Sequence, residues 1–209
     1  MEKQSLYNEV DSLTSCAQWH EDYVARWDAA FGAGHENAEL EKWLVNNGFF
    51  EAPASTKYHG AYPGGLYRHS ACVADWLQDI TDKMGYEWQR PESPFIVGMF
   101  HDLCKIDQYR RGQAQASASF GGHDVAVYGA QAPAYEYNDK QLLAGHGAKS
   151  VMLLSQFMTL TEEEILAIRY HMGAYEKDDW TGFDLAIRKY PAVLWTHTAD
   201  MLASKVDGE

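Results

Sequence analysis

Six side chains have the chemistry of metal ligands: His69, the adjacent pair His101-Asp102, His146, His171 and Asp200. Hydrophobic spacing puts each on or beside the apolar face of its own helix. His69 lies four residues before Val73, His146 four before Ser150, His171 three after Ile168, and Asp200 seven after Val193. A buried carboxylate without a partner is costly, so four imidazoles and two carboxylates converging from five helices would destabilise one another if left unpaired. A pair of metal ions removes the problem by taking ring nitrogens and carboxylate oxygens as ligands. Imidazole-rich, thiol-free ligation suits two divalent transition-metal ions (Mn, Fe, Co, Ni or Zn) better than Mg or Ca. Such ions acidify bound water from about 15.7 toward about 7 and neutralise phosphate oxygens, which is the chemistry of phosphoester hydrolysis.

These residues sit in five short motifs: Gly64-Gly65-Leu66-Tyr67-Arg68-His69-Ser70, Phe100-His101-Asp102-Leu103-Cys104-Lys105-Ile106, Gly145-His146-Gly147-Ala148-Lys149-Ser150, Arg169-Tyr170-His171-Met172 and His197-Thr198-Ala199-Asp200. In this order they resemble the HD-domain metal-dependent phosphohydrolase superfamily, above all its compact bacterial and phage hydrolases, over roughly residues 60 to 207. The resemblance implies that His69, His101, Asp102 and Asp200 hold a first metal and that Asp102 bridges to a second, completed by His146 and His171. It further implies Asp102 and Lys105 as catalytic residues, with a metal-bridged hydroxide attacking phosphorus. Ligand chemistry reaches only a phosphoester; the resemblance supplies a nucleotide or short oligonucleotide as substrate. Two rival readings share the ligand set. One is a mixed-valent di-iron oxygenase of the same superfamily, and the other a nucleotide-binding module with a structural metal site.

Five basic residues are candidates for substrate binding: Arg68, Lys105, Arg110, Arg111 and Lys149. Each has a bland alternative as a surface cation or structural ion pair, and Lys105 also as a helix-terminal cation. Tyr109, Tyr128, Tyr135, Tyr137 and Trp180 read as stacking partners for a base or as pins for a loop. His123 reads as a solvated loop histidine or a proton donor, and His197 as a hydrogen-bonding support for the ligands. His20, His35 and His59 carry no assignment.

The elements that must position these groups are helical almost throughout. Leu6, Val10, Leu13, Ala17, His20, Val24, Trp27 and Phe31 mark one face of a long first helix, a core face or a dimer seam. Helices are expected over 38–47, 66–84, from Ser93-Pro94 (N-cap and N1) through 104, over 141–158, over 162–172 behind the capping box Thr161–Glu164, and from Pro191 to about 206. Residues 51–65 read as a loop, and 107–140 lose the helical period. This second stretch is expected to be a long loop or small β-hairpin whose ends lie beside the ligands and which passes over the site as a lid. The expected fold is a single all-α bundle, with residues 1–50 an N-terminal helical arm packed on a hydrolase domain at 51–209.

Of 209 residues 46% are apolar and 22% charged, ordinary for a globular chain. Seventeen Lys+Arg against thirty Asp+Glu give a net charge of −13, which argues against duplex nucleic acid or an anionic membrane as partner. The longest apolar run, Phe95 to Phe100, is about a third of a membrane span. Cys16, Cys72 and Cys104 are odd in number, and the N-terminus is acidic, unlike a secretory signal. The expectation is a cytoplasmic monomer or homodimer acting on a small phosphorylated substrate.

Overall fold

The computed structural model describes residues 2–35, 37–112, 118–120, 123–125, 135–143, 145–175 and 180–208. Among them are eight α-helices: α1 (Glu2–Phe31), α2 (Ala38–Asn46), α3 (Gly65–Met84), α4 (Ser93–Phe100), α5 (Gly147–Leu154), α6 (Glu162–Arg169), α7 (Trp180–Lys189) and α8 (Ala192–Leu202). Four short strands accompany them. β1 (Tyr109–Arg111) pairs antiparallel with β4 (Tyr135–Tyr137), and β2 (Ala118–Phe120) with β3 (His123–Val125). The fold is all-α with a small β insertion, as expected. No helix among the described residues is long and apolar enough to cross a membrane.

The buried face of α1 from Trp19 to Phe31 is core. Tyr23 and Trp27 are buried, Tyr23 meets Phe50 and Phe100 edge-on, and Trp27 stacks on Phe31 at 4.3 Å. Side chains of residues 6 to 16 lie outside those described. The centre of the molecule is the crossing of α3 and α4. A Cβ at Gly98 would lie 2.3 Å from the Ala74 Cα, so the two backbones touch there and only glycine fits. That contact brings His69 on α3 beside His101 at the end of α4.

A second close approach does the same for another pair. A Cβ at Gly147 would lie 2.4 Å from the carbonyl oxygens of both Ile168 and Arg169. The start of α5 therefore rests on the last turn of α6, and His146 comes to lie beside His171.

Several boundaries depart from the spacing-based expectation. The helix expected through Cys104 stops at Phe100, and a 3-10 turn follows over Leu103–Ile106. In a continuous helix adjacent residues point about 100° apart; the break lets His101 and Asp102 both face inward. Ser93 is not the N-cap: the helix already includes it, Glu92 stands at the cap position, and the Ser93 hydroxyl donates to buried Glu164 at 2.8 Å. The helix expected from 141 begins only at Gly147, and Leu142, which mimicked a helix face, is 98% exposed. Helix α7 was not foreseen, although Trp180, Phe183, Ala186 and Ile187 carry its period. The capping box at Thr161 is present as expected, with both reciprocal bonds.

Candidate metal centre

The six expected ligands converge on one point. His69, His101 and His171 are fully buried and Asp102 nearly so, while His146 and Asp200 remain 19% and 16% exposed at the side chain. Asp102 is central. Its Oδ2 lies 3.4 Å from His101 Nε2 and 3.5 Å from His69 Nε2, and its Oδ1 lies 2.9 Å from His146 Nε2 and 3.4 Å from His171 Nε2. One carboxylate thus turns one oxygen to each of two histidine pairs. Asp200 closes the first side, with Oδ1 3.3 Å from His69 Nε2.

The tautomers of two rings follow from their outer partners. His101 Nδ1 is 2.8 Å from the Gly98 carbonyl and His171 Nδ1 2.8 Å from the Ile168 carbonyl. A carbonyl can only accept, so each Nδ1 carries the hydrogen and each neutral ring turns its Nε2 lone pair inward. The inward atoms are then short of donors. Asp102 Oδ1, His146 Nε2 and His171 Nε2 are buried and have no hydrogen-bond partner, because the 2.9 Å approach of His146 to Asp102 lacks hydrogen-bond geometry. Native interiors satisfy almost all such atoms, and a shared cation is what satisfies acceptors that face one another. Ligand atoms in three overlapping groups lie within 4.8 Å of one another: His69 with His101 and Asp102, His101 with His171 and Asp200, and Asp102 with Cys104 and His146. The donor set fits a metal centre.

Charge bears this out. Burial would raise the Asp102 pKa, but the Lys105 ammonium and the surrounding imidazoles outweigh it and hold the carboxyl well below its usual range. Lys105 Nζ is 2.6 Å from Asp102 Oδ2 and itself buried. Burial would depress the His69 pKa, yet Asp102 and Asp200 reverse the effect and push it up to about 9. His101, desolvated and crowded by His171 and His69, is shifted down. Without metal, the protonated His69 and the Lys105 ammonium balance the two carboxylates; a cation that displaced the His69 proton would take over that balancing charge.

Above the cluster opens a cavity of about 370 Å³, with Asp102, Lys105, His146 and Asp200 in its lining. Of the five basic candidates, Lys105 alone is in that lining. Arg68 is exposed, its guanidinium 5.3 Å from the Trp19 ring. Arg110 pairs with Glu136 at 2.9 Å and Asp139 at 2.8 Å. Arg111 borders a different hollow, beside Glu51 and Tyr135. Lys149 is buried between Asp107 and Gln141 Oε1, the latter at 3.1 Å.

Of the aromatic candidates, Tyr109 and Tyr137 line the cavity, whereas Tyr135 is buried and Trp180 lies elsewhere. Tyr128 and the side chain of His123 fall outside the described residues. His197 Nδ1 donates to the His171 carbonyl at 2.7 Å, the supporting role expected of it. Two groups were missed. His59 lines the cavity with its ring 5.3 Å from that of His69, and burial together with His69 and Lys105 lowers its pKa to about 4. Its signal was its place ten residues ahead of His69 in a glycine-rich turn. Cys104, not counted among the expected ligands, stands at the edge of the cluster, its thiol pushed up to about 12 by burial. The cluster is therefore not free of sulfur neighbours. Comparison of the chain with protein-family models, with curated proteins and with solved structures finds no match.

Proposed function

We propose that this chain is a metal-dependent phosphohydrolase with an HD-type site, cleaving a phosphoester of a nucleotide or short oligonucleotide. The observation that carries this reading is Asp102, which presents its two oxygens to two sets of inward-turned imidazoles beside a buried ammonium, at the floor of an open cavity. His69, His101, Asp102 and Asp200 would hold one ion, and Asp102, His146 and His171 a second. Bound there, the ions supply Lewis acidity for water and for phosphate oxygens.

The chain's own residues do the rest. Lys105 has three donor hydrogens, one of them committed to Asp102, and the residue lines the cavity, where a phosphate oxygen would meet a cation already desolvated. The Gly98 and Ile168 carbonyls keep His101 and His171 in the tautomer that leaves Nε2 bare. His69, His101 and His171 are fully buried, and the cavity meets the cluster where Asp102, Lys105, His146 and Asp200 line it.

The test is metal content followed by turnover. Protein loaded with Mn²⁺ and freed of excess should retain two ions per chain, and should release phosphate or a nucleotide from some member of a panel of nucleoside mono-, di- and triphosphates and dinucleotides, with air excluded. One ion or fewer would remove the binuclear arrangement. Absence of hydrolysis across the panel with each of Mn, Fe, Co, Ni and Zn would remove the hydrolase reading, and turnover that requires O₂ would replace it with the oxygenase.

A further inference from the structure

Four tyrosines line the cavity above the cluster: Tyr58, Tyr109, Tyr137 and Tyr175. They arrive from separate parts of the chain. Tyr58 belongs to the loop before α3, Tyr109 and Tyr137 to β1 and β4, and Tyr175 to the turn after α6. Three of them are far from buried, with Tyr58 79%, Tyr137 64% and Tyr175 63% exposed. A single exposed aromatic needs no explanation. Three at the rim of the cavity that ends in the metal-ligand cluster are different, because rings this exposed contribute little to the core.

The insertion holds one wall in shape. Tyr109 and Tyr137 are direct register partners across β1 and β4, on the same face, with ring centroids 5.2 Å apart and edge to face. From floor to rim the cavity passes from the buried charged groups Asp102 and Lys105 to exposed phenol rings, with the exposed Lys205 beside them in the lining. An anionic group would sit at the floor and a planar apolar group at the rim. A volume of about 370 Å³ lies at the small end of the range for ligand sites, enough for one nucleotide and not for a length of polymer.

We propose that Tyr58, Tyr137 and Tyr175 form a stacking platform that selects phosphoesters carrying a nucleobase and accepts any of the bases. This rests on the phosphohydrolase reading and adds the basis of its selectivity. Stacking is indifferent to base identity because every base has a π face. Reading one base edge would need fixed donors and acceptors, and two polar groups of the wall are already engaged. Ser55 Oγ donates to the His59 carbonyl at 2.8 Å and accepts from Tyr58 N at 2.9 Å. Gln108 donates to the Tyr109 hydroxyl at 3.1 Å and accepts from the Cys104 thiol at 3.8 Å.

Binding of non-hydrolysable probes to the Mn²⁺-loaded protein tests the platform by calorimetry. The probes are adenosine and cytidine 5′-phosphonates and ribose 5-phosphonate. Both nucleoside probes should bind about tenfold or more tighter than the ribose probe, and within about threefold of each other. Tyr58→Ala, Tyr137→Ala and Tyr175→Ala should each shrink that gap, the triple variant closing it, while ribose phosphonate affinity stays unchanged. The Tyr→Phe counterparts should keep the gap, since they keep the ring. Equal affinities for base-bearing and base-free probes, no measurable binding of any probe, or Phe variants as impaired as Ala variants would overturn the proposal. Phosphate release from AMP and ribose 5-phosphate, followed separately, distinguishes the two ideas. A binding gap without release, here and across the nucleotide and dinucleotide panel with each metal, leaves the platform standing and removes the hydrolase, and equal release from both substrates does the reverse.

Discussion

Lys105→Met isolates what the buried ammonium does. Methionine keeps most of the apolar stem and removes only the charge. In the absence of metal, the variant leaves the Asp102 carboxylate without its 2.6 Å partner, with both groups under 10% exposed. Breaking a buried ion pair by removing one partner costs about 3–5 kcal/mol. For a chain of this length each kcal/mol moves Tm by about 2–4 °C, so the apoprotein should melt about 6–20 °C lower. With metal bound, cations beside Asp102 replace the missing charge, and the loss should shrink to about 1 kcal/mol. Thermal denaturation followed by circular dichroism in EDTA, and again in excess Mn²⁺, measures both values. On a phosphoester substrate the same variant should lose about 10²-fold in kcat/KM, about 2.7 kcal/mol, with metal content intact. A fall in Tm that is equal with and without metal, or no fall in EDTA, would refute the account of Lys105 as the counter-charge of Asp102 in the metal-free protein.

Two further substitutions probe the supports. Gly→Ala in a helix ordinarily gains stability, but Gly147→Ala drives a Cβ into the Ile168 and Arg169 carbonyls at 2.4 Å, so it should cost about 3 kcal/mol and lower bound metal toward one ion per chain; an unchanged or raised Tm would contradict the close approach. Glu164→Gln disturbs a carboxylate that accepts from Arg90 at 2.7 and 2.8 Å, Ser93 at 2.8 Å and Thr161 N at 2.9 Å, and should cost about 3 kcal/mol while leaving two ions bound; metal loss on titration would tie this latch to the site.

The ligand cluster was legible in the sequence because it violates a rule. A single histidine on the apolar face of a helix is ordinary, but four with two aspartates, spread over five expected helices, share one explanation. The anions' partners were not legible, for a physical reason. A cation on a long side chain goes to whichever carboxylate tertiary structure puts nearest, and spacing along the chain does not report that. Arg110 meets Glu136 and Asp139 across the β1–β4 pairing, and Lys149 meets Asp107 across the break between the 3-10 turn and α5. Of the five basic candidates, Lys105 alone, fixed by the i, i+3 relation to Asp102, was within reach of local reasoning. Helix ends suffered likewise: the apolar pair Leu142-Leu143 looks like a helix face, yet the chain there is spent bringing His146 to Asp102.

His69 and Asp200 come from within α3 and α8, and the positions of His101 and His171 show what helix ends add to the cluster. Each stands just beyond the last residue of a helix, one after Phe100 of α4 and two after Arg169 of α6. The last turn of a helix leaves carbonyls short of amide partners, and both rings take a carbonyl three residues back, Gly98 for one and Ile168 for the other. A backbone group that needs a donor thus fixes the imidazole that must keep its far nitrogen bare. The same two ends carry the partial negative charge of their helix dipoles, which points at the cluster and favours a cation there. In mid-helix the carbonyl would be bonded to an amide, the ring would be free to turn, and neither effect would act. These two imidazoles are therefore oriented by bonds the backbone must make in any case. The two glycines at the helix contacts, Gly98 and Gly147, are what let those termini come close enough to share Asp102.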